Sequence, residues 1–324
     1  MARNASNILL QKAKKLKKDE FYTQLVDIES ELQYYKVHFK DKTVFCNCDN
    51  PKTSNFYKYF VNNFHSLGLK RLIAACYVEQ NNSLFEQNNS QKGFYCEYNG
   101  DDSTQNIQYF VGDGDFRSRE SIELLKQSDI VVTNPPFSLF REYVAQLVRY
   151  NKKFLIIGNV NAITYKEIFT LIQGNKAWLG VNLGRGISGF IVPDNYELYG
   201  TETRIDSIGQ KIISPNNCLW LTNLDNFCRH EDVALTKTYA GNETYYPKYD
   251  NYDGINVDRT QDIPIDYQGY MGVPITFLHK FNPNQFEIIK FRKGNDEKDL
   301  SINGKCPYFR ILIKHKRTSL SSVE

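Results

Sequence analysis

The sequence predicts an α/β fold: a doubly wound, mostly parallel sheet joined to a smaller C-terminal region. Three observations predict it. Between residues 43 and 173, short apolar runs alternate with amphipathic helical stretches for five rounds, the pattern of a parallel sheet covered on both faces. One run, Asp129-Ile130-Val131-Val132-Thr133, is stopped by Asn134-Pro135-Pro136-Phe137. Neither proline can donate to a sheet ladder, so a rigid turn stands at the strand's carboxyl end, the edge where open α/β sheets bind ligands. After about residue 175 the alternation gives way to glycines, then tyrosines, which marks a change of architecture.

The 324 residues suffice for one large domain or two modest ones. A net charge of +3 gives no global field, so affinity for nucleic acid must come from local patches. No apolar run reaches the length of a membrane span, and lysines interrupt the apolar residues of the N-terminus; a cytoplasmic protein with no membrane contact is expected. Seven cysteines without framework spacing fit free thiols in a reducing compartment. Cys46-x-Cys48 has no second pair nearby, and Cys218, Cys228 and His230 lack a zinc spacing, so no metal is expected.

In chain order, residues 4–18 read as a basic helix carrying Lys12, Lys14, Lys15, Lys17 and Lys18. It is either a solvated face or an arm that contacts phosphates. Phe21-Tyr22-Thr23 can pack on a cofactor or serve as core. Leu25, Ile28, Leu32, Tyr35 and Phe39 follow at helical spacing over 25–39. A first strand at Thr43–Cys48 leads through Asp49-Asn50-Pro51-Lys52-Thr53-Ser54 to a helix over 54–66. That is the opening of a doubly wound unit, and it makes Asn47, Cys48, Asp49 and Asn50 candidates for holding a nucleoside cofactor. Leu69–Val78 is a second strand. Glu79 beyond it is either a ribose-binding acid or an exposed carboxylate.

Phe94–Tyr98 reads as a strand, and Ile107–Val111 as the third strand of the main sheet, ending in Gly112-Asp113-Gly114-Asp115-Phe116. There an aspartate, Asp113 or Asp115, can accept from an adenine amino group while Phe116 lies against the ring. Ser121–Gln127 is a helix, Leu139–Tyr150 a helix with Phe140, Val144, Leu147 and Val148 on one face, Lys153–Gly158 a strand and Lys166–Gln173 a helix. Ile187–Val192 and Cys218–Thr222 read as strands that could finish the main sheet as an antiparallel edge. Arg185, in the Gly-rich stretch 178–190, is a candidate DNA contact. The tyrosines of 239–270 either meet phosphates and bases or fold over a small core.

The turn at 134–137 suits methylation of an exocyclic base amine. Such a nitrogen is a poor nucleophile because its lone pair is delocalised into the ring. The Asn134 side-chain oxygen and the Pro135 carbonyl can accept from its two N–H groups. Pro135 and Pro136 keep the acceptors rigid, and Phe137 can stack on a base taken out of the duplex. A strand-ending turn with a core phenylalanine is the plainer alternative.

With these residues in place, the chain resembles the EcoRI-type modification methylases within the class I S-adenosylmethionine-dependent adenine-N6 DNA methyltransferases. Asn134-Pro135-Pro136-Phe137 matches their catalytic turn after the fourth strand, Phe21-Tyr22-Thr23 their element ahead of the first strand, and Asp115-Phe116 the end of their third. The opening Met-Ala-Arg-Asn-Ala, Glu31-Leu32-Gln33-Tyr34-Tyr35 and Cys46-Asn47-Cys48-Asp49 extend the likeness. The Gly-rich first motif of the wider class is replaced by Val44–Pro51, a divergence shared with the EcoRI-type proteins.

The resemblance implies a Rossmann-like catalytic domain, S-adenosyl-L-methionine as cofactor, and direct methyl transfer to a flipped adenine of double-stranded DNA. It further implies GAATTC as the site and a cognate restriction endonuclease acting on that site without contacting this protein. A monomer is expected, since strands modified one at a time need no dimer. The expected organisation is an N-terminal arm over 1–40, a catalytic domain over 41–225 and a target-recognition region over 226–324. RNA adenine, a protein amide, and a DNA-binding protein without catalysis stay open as alternatives.

Overall fold

The run Ile130-Val131-Val132-Thr133 is buried at every position, as a strand must be when helices or loops cover both faces of its sheet. In the computed structural model, which describes residues 22–78, 92–101, 106–182, 187–192, 203–207, 209–214 and 217–316, it lies at the centre of an eight-stranded sheet.

The strands of the first part are β1 (Tyr22–Thr23), β2 (Thr43–Cys46), β3 (Arg71–Cys76), β4 (Phe94–Tyr98), β5 (Asn106–Tyr109), β6 (Ile130–Thr133), β7 (Lys153–Asn159), β8 (Trp178–Leu179), β9 (Phe190–Val192), β10 (Thr203–Ile205), β11 (Lys211–Ile213) and β12 (Cys218–Thr222). The large sheet runs β5-β4-β3-β2-β6-β7-β12-β8. Its centre is parallel: Val44 pairs with Leu72 on one side and Ile130 on the other, and Ile130 with Lys153. Its flanks are antiparallel, β4 on β3, β5 on β4 and β12 on β7. The fold class is α/β, with a mixed sheet.

Two strands fall elsewhere than the sequence suggests. The segment expected to be the third parallel strand forms only β5, paired with β4 at the sheet's edge, and all four of its residues are exposed. Asn106-Ile107-Gln108-Tyr109 has too little apolar surface to fill an interior position. The Ile187–Val192 segment contributes β9 to a separate small sheet, β1-β9-β11-β10. Cys218–Thr222 does join the large sheet antiparallel, inside a short edge strand, β8.

The helices of the first part are α1 (Leu25–Leu32), α2 (Asn55–Asn62), α3 (Phe64–Leu67), α4 (Arg119–Gln127) and α5 (Phe140–Arg149); α6 (Lys166–Gln173) follows in the chain. Ser54 caps α2 by accepting from the amides of Phe56 and Tyr57, and Ser118 caps α4 by accepting from Ser121, satisfying amides that have no partner within the helix. On α5 the buried stripe is Phe140, Tyr143, Val144 and Leu147; Val148, expected on that face, is 44% exposed. No helix among the described residues is long and apolar enough to cross a membrane.

At the start of α5, Phe140 lies where a Cβ on Gly158 of β7 would come within 2.5 Å of its ring. Replacing Gly158 by alanine must therefore displace a buried ring. We expect a loss of about 1–3 kcal/mol of stability, read as a lower urea midpoint at unchanged slope.

The chain divides into two compact units, Met1–Ile168 with Leu179–Leu224, and Phe169–Trp178 with Asp225–Glu324. The second holds β13 (Gly254–Asn256), β14 (Tyr270–Pro274), β15 (Phe286–Phe291) and β16 (Arg310–His315), in the order β13-β14-β16-β15. Ile311, Leu312 and Ile313 of β16 are all fully buried, so both faces of this sheet are covered. Leu312 packs with Tyr249 and Leu300. The Tyr249 hydroxyl donates to Asn256 Oδ1 at 2.9 Å, which lets a tyrosine sit in that core. Tyr239 meets Tyr246 and Tyr267 with ring centroids at 5.8 and 4.7 Å, whereas Tyr245 is 78% exposed. The tyrosine-rich stretch is thus partly core and partly surface.

Candidate active site

Two adjacent parallel strands, β2 and β6, end side by side, and both carry candidate residues just past their carboxyl ends. From β2 the chain runs into Asn47, Cys48, Asp49 and Asn50; from β6 it runs into Asn134. Asp49 ties the two ends together. It is buried, and its carboxylate accepts from the Thr133 hydroxyl at 2.5 Å and from the Ser54 hydroxyl at 2.7 Å. Thr133 immediately precedes Asn134, and Ser54 is the cap of α2. One side chain therefore ties together the start of the 134–137 turn, the loop after β2 and a helix start. Burial raises the Asp49 carboxyl to about 6, against the two hydroxyl donors that favour its ionised form.

Asn47 accepts from the Tyr143 hydroxyl. The Tyr143 ring stands edge-on to Phe116 at 5.1 Å, so α5 joins the β2 loop to the segment after β5. Burial pushes the Tyr143 phenol and the Cys46 and Cys48 thiols up; all three stay neutral, and the cysteines are poor nucleophiles. Asp115 accepts three bonds from Arg117, at 2.8 Å from its backbone amide and 2.9 and 2.6 Å from its guanidinium. That partner holds the Asp115 carboxyl below its ordinary range. The same guanidinium lies 5.4 Å from the Phe116 ring centre. Asp113 accepts the amide of Val78 on its carbonyl at 2.9 Å and the amide of Asp115 on its side chain at 3.0 Å. The Asp113 segment thus lies beside the end of β3. A Cβ on Gly93 would sit 2.4 Å from Asp113 backbone atoms, so glycine is required at 93 for this approach.

Tyr22 and Thr23 form β1 against Ile191 and Phe190. Asn55, next to Ser54, donates from Nδ2 to the Thr23 carbonyl at 2.9 Å. A path of hydrogen bonds and one peptide link thus runs from the Thr23 carbonyl through Asn55, Ser54 and Asp49 to Thr133, beside Asn134. Thr23 is buried, and its hydroxyl has no hydrogen-bond partner among the described residues, a cost that a polar ligand would remove. Phe137, at the far end of the turn, meets Phe190 edge-on at 6.2 Å. Pro135 is buried; Asn134, Pro136 and Phe137 are partly exposed.

The structure therefore brings together Thr23, Asn47–Asn50, Asp113, Phe116 and the 134–137 turn at one edge of the sheet. Phe21, Glu79, Lys14, Lys15, Lys17, Lys18 and Arg185 lie outside the described residues. Sequence reasoning missed Thr133, Ser54, Asn55 and Tyr143. Only Ser54 carried a local signal, a serine just ahead of a helix. Among the described residues no cluster could hold a metal ion.

A family model described as adenine-specific methyltransferase EcoRI matches residues 9–316. The type II methyltransferase M.EcoRI of Escherichia coli is 69% identical over 323 residues, spanning 98% of this chain and 99% of that protein. The type II methyltransferases M.MgeORF184P of Mycoplasma genitalium and M.MpnI of Mycoplasma pneumoniae are 38% and 37% identical, each over 94% of this chain and 98% of its own length. No solved structure matches.

Proposed function

The chain belongs to the adenine-specific methyltransferase EcoRI family, and we propose that its chemistry is carried by the turn Asn134-Pro135-Pro136-Phe137. It is a type II DNA methyltransferase that modifies adenine and draws on a methyl donor. The observation that carries the site assignment is the Asp49–Thr133 hydrogen bond, which locks the turn to the loop after β2. Substrate and donor are thereby served from one edge of one sheet.

We take the donor to be S-adenosyl-L-methionine. The residues present fit it: an unsatisfied buried hydroxyl at Thr23, the polar loop Asn47–Asn50, and the Asp113–Phe116 segment with carboxylates and a ring. When bound, it supplies a methyl group on a positively charged sulfur. The protein's part is positioning. Asn134 Oδ1 and the Pro135 carbonyl accept from the two N–H groups of the adenine amine, fixing its nitrogen in line for transfer and favouring the positive charge that develops there. Phe137 holds the flipped base by stacking. The two prolines hold the backbone of both acceptors rigid, so little entropy is lost on binding.

The central sheet is read as a Rossmann-like methyltransferase core, the second unit as the target-recognition region, and the protein as a cytoplasmic monomer. GAATTC is the proposed site, shared with a cognate endonuclease. The lysines at 14, 15, 17 and 18 and Arg185 are proposed phosphate contacts. DNA incubated with the protein and S-adenosyl-L-methionine is expected to resist an endonuclease that cleaves GAATTC, while DNA incubated without the donor is cut. Equal cutting of both samples would refute the proposed site.

A further inference from the structure

Helix α1 carries two carboxylates that a surface helix would leave in water. Asp27 and Glu31 are 5% and 0% exposed. One turn apart, they share a face. Glu31 accepts the amide of Val181 at 2.8 Å on one oxygen and the amide of Asn182 at 2.7 Å on the other. The Tyr35 hydroxyl adds a third bond at 2.9 Å. Asp27 accepts the amide and hydroxyl of Ser188 at 2.9 and 3.1 Å. Gln24, the residue before α1, donates to Ser188 Oγ at 2.6 Å and to the Gly189 carbonyl at 2.9 Å.

The clamped chain leads directly into Phe190, which touches the catalytic turn. Phe190 pairs through its backbone with Thr23 and meets Phe137 with its ring. We propose that Asp27 and Glu31 are positioning residues for methyl transfer, a two-carboxylate clamp that fixes the chain at Val181–Asn182 and at Ser188 so that Phe190 is seated against both Thr23 and Phe137. At Glu31 a carboxylate suits the task because both of its oxygens only accept; an amide there would turn its own N–H groups toward a backbone N–H. Burial raises both carboxyls above their ordinary values, a cost that the bonds to the chain oppose.

The inference rests on the catalytic turn proposed above. Its test uses the full-length Asp27→Ala and Glu31→Gln variants, with two readouts. Hydrogen exchange of the 188–192 amides is expected to rise about tenfold. On unmethylated DNA, kcat is expected to fall about tenfold with KM for DNA held within about twofold. The Phe190→Leu variant should show the same kinetic split, and combining it with Asp27→Ala should add little, because both act through one contact. Phe190→Leu also carries the test if a carboxylate variant fails to fold, since it leaves the clamp intact. Faster exchange with unchanged kcat would overturn the proposal, leaving the clamp a purely structural device. So would a rise in KM at constant kcat, or losses that multiply in the double variant. The exchange readout needs no turnover, so inactivity of the wild-type protein on DNA would count against the function separately from the clamp.

Discussion

Replacing Asn134 by alanine is expected to lower kcat by about 10²–10³-fold while leaving DNA affinity within about twofold. On the proposed assignment, the substitution removes one of two acceptors for the adenine amine and nothing that holds phosphate. Thr133 keeps its bond to Asp49, so the backbone of the turn should stay in place. Asn134→Asp keeps an acceptor at the same position and should retain more activity than the alanine variant. Single-turnover methylation and a DNA-binding titration on the same preparations separate the two effects. Undiminished methylation by Asn134→Ala would remove the turn from the mechanism.

Replacing Asp49 by alanine should damage both stability and turnover. It strips the acceptor from two buried hydroxyls, Thr133 and Ser54, and leaves a void between β2 and β6. A loss of about 2–4 kcal/mol is expected, with a fall in kcat because the residue before Asn134 loses its anchor. Asp49→Asn gives a finer signature in pH. The folded-state value of about 6 lies above the ordinary 3.8, so the folded protein holds this proton more tightly than the unfolded chain. The contribution of Asp49 to stability is therefore greatest below about pH 4. It declines as pH rises toward 6 and stays lost above that, a total of about 3 kcal/mol. The asparagine variant has no such proton. Its stability relative to the wild type should improve between about pH 4 and 6 in urea titrations, and level off above that; a constant difference would show that Asp49 titrates normally.

The centre of the fold was legible because its signals are local. Ile130–Thr133 announces a strand by composition, and Pro135 and Pro136 announce its end. The flanks were less so. Asn106–Tyr109 carries a strand's residue types, but its place at the edge depends on β4, which the sequence did not place in the sheet. At the candidate site, the turn was proposed from its own chemistry, since few side chains can accept from an amine as rigidly, and its position just past a buried strand was legible in the sequence. The network behind it was not. Asp49 meets Thr133 across 84 residues, and Glu31 and Asp27 meet their amides across 150 and 161. At the level of helical spacing, Asp27 and Glu31 belong to the polar face of α1, and only the chain that folds over them makes that face interior. Thr23 was suggested by its neighbours, but its unsatisfied hydroxyl emerges only when β1 is seated on β9.

The most direct measurement is methyl transfer from labelled S-adenosyl-L-methionine to unmethylated duplex DNA, with the modified base mapped by sequencing. The account predicts N6-methyladenine confined to GAATTC. Label on cytosine, or transfer to RNA or protein with none to DNA, would contradict it.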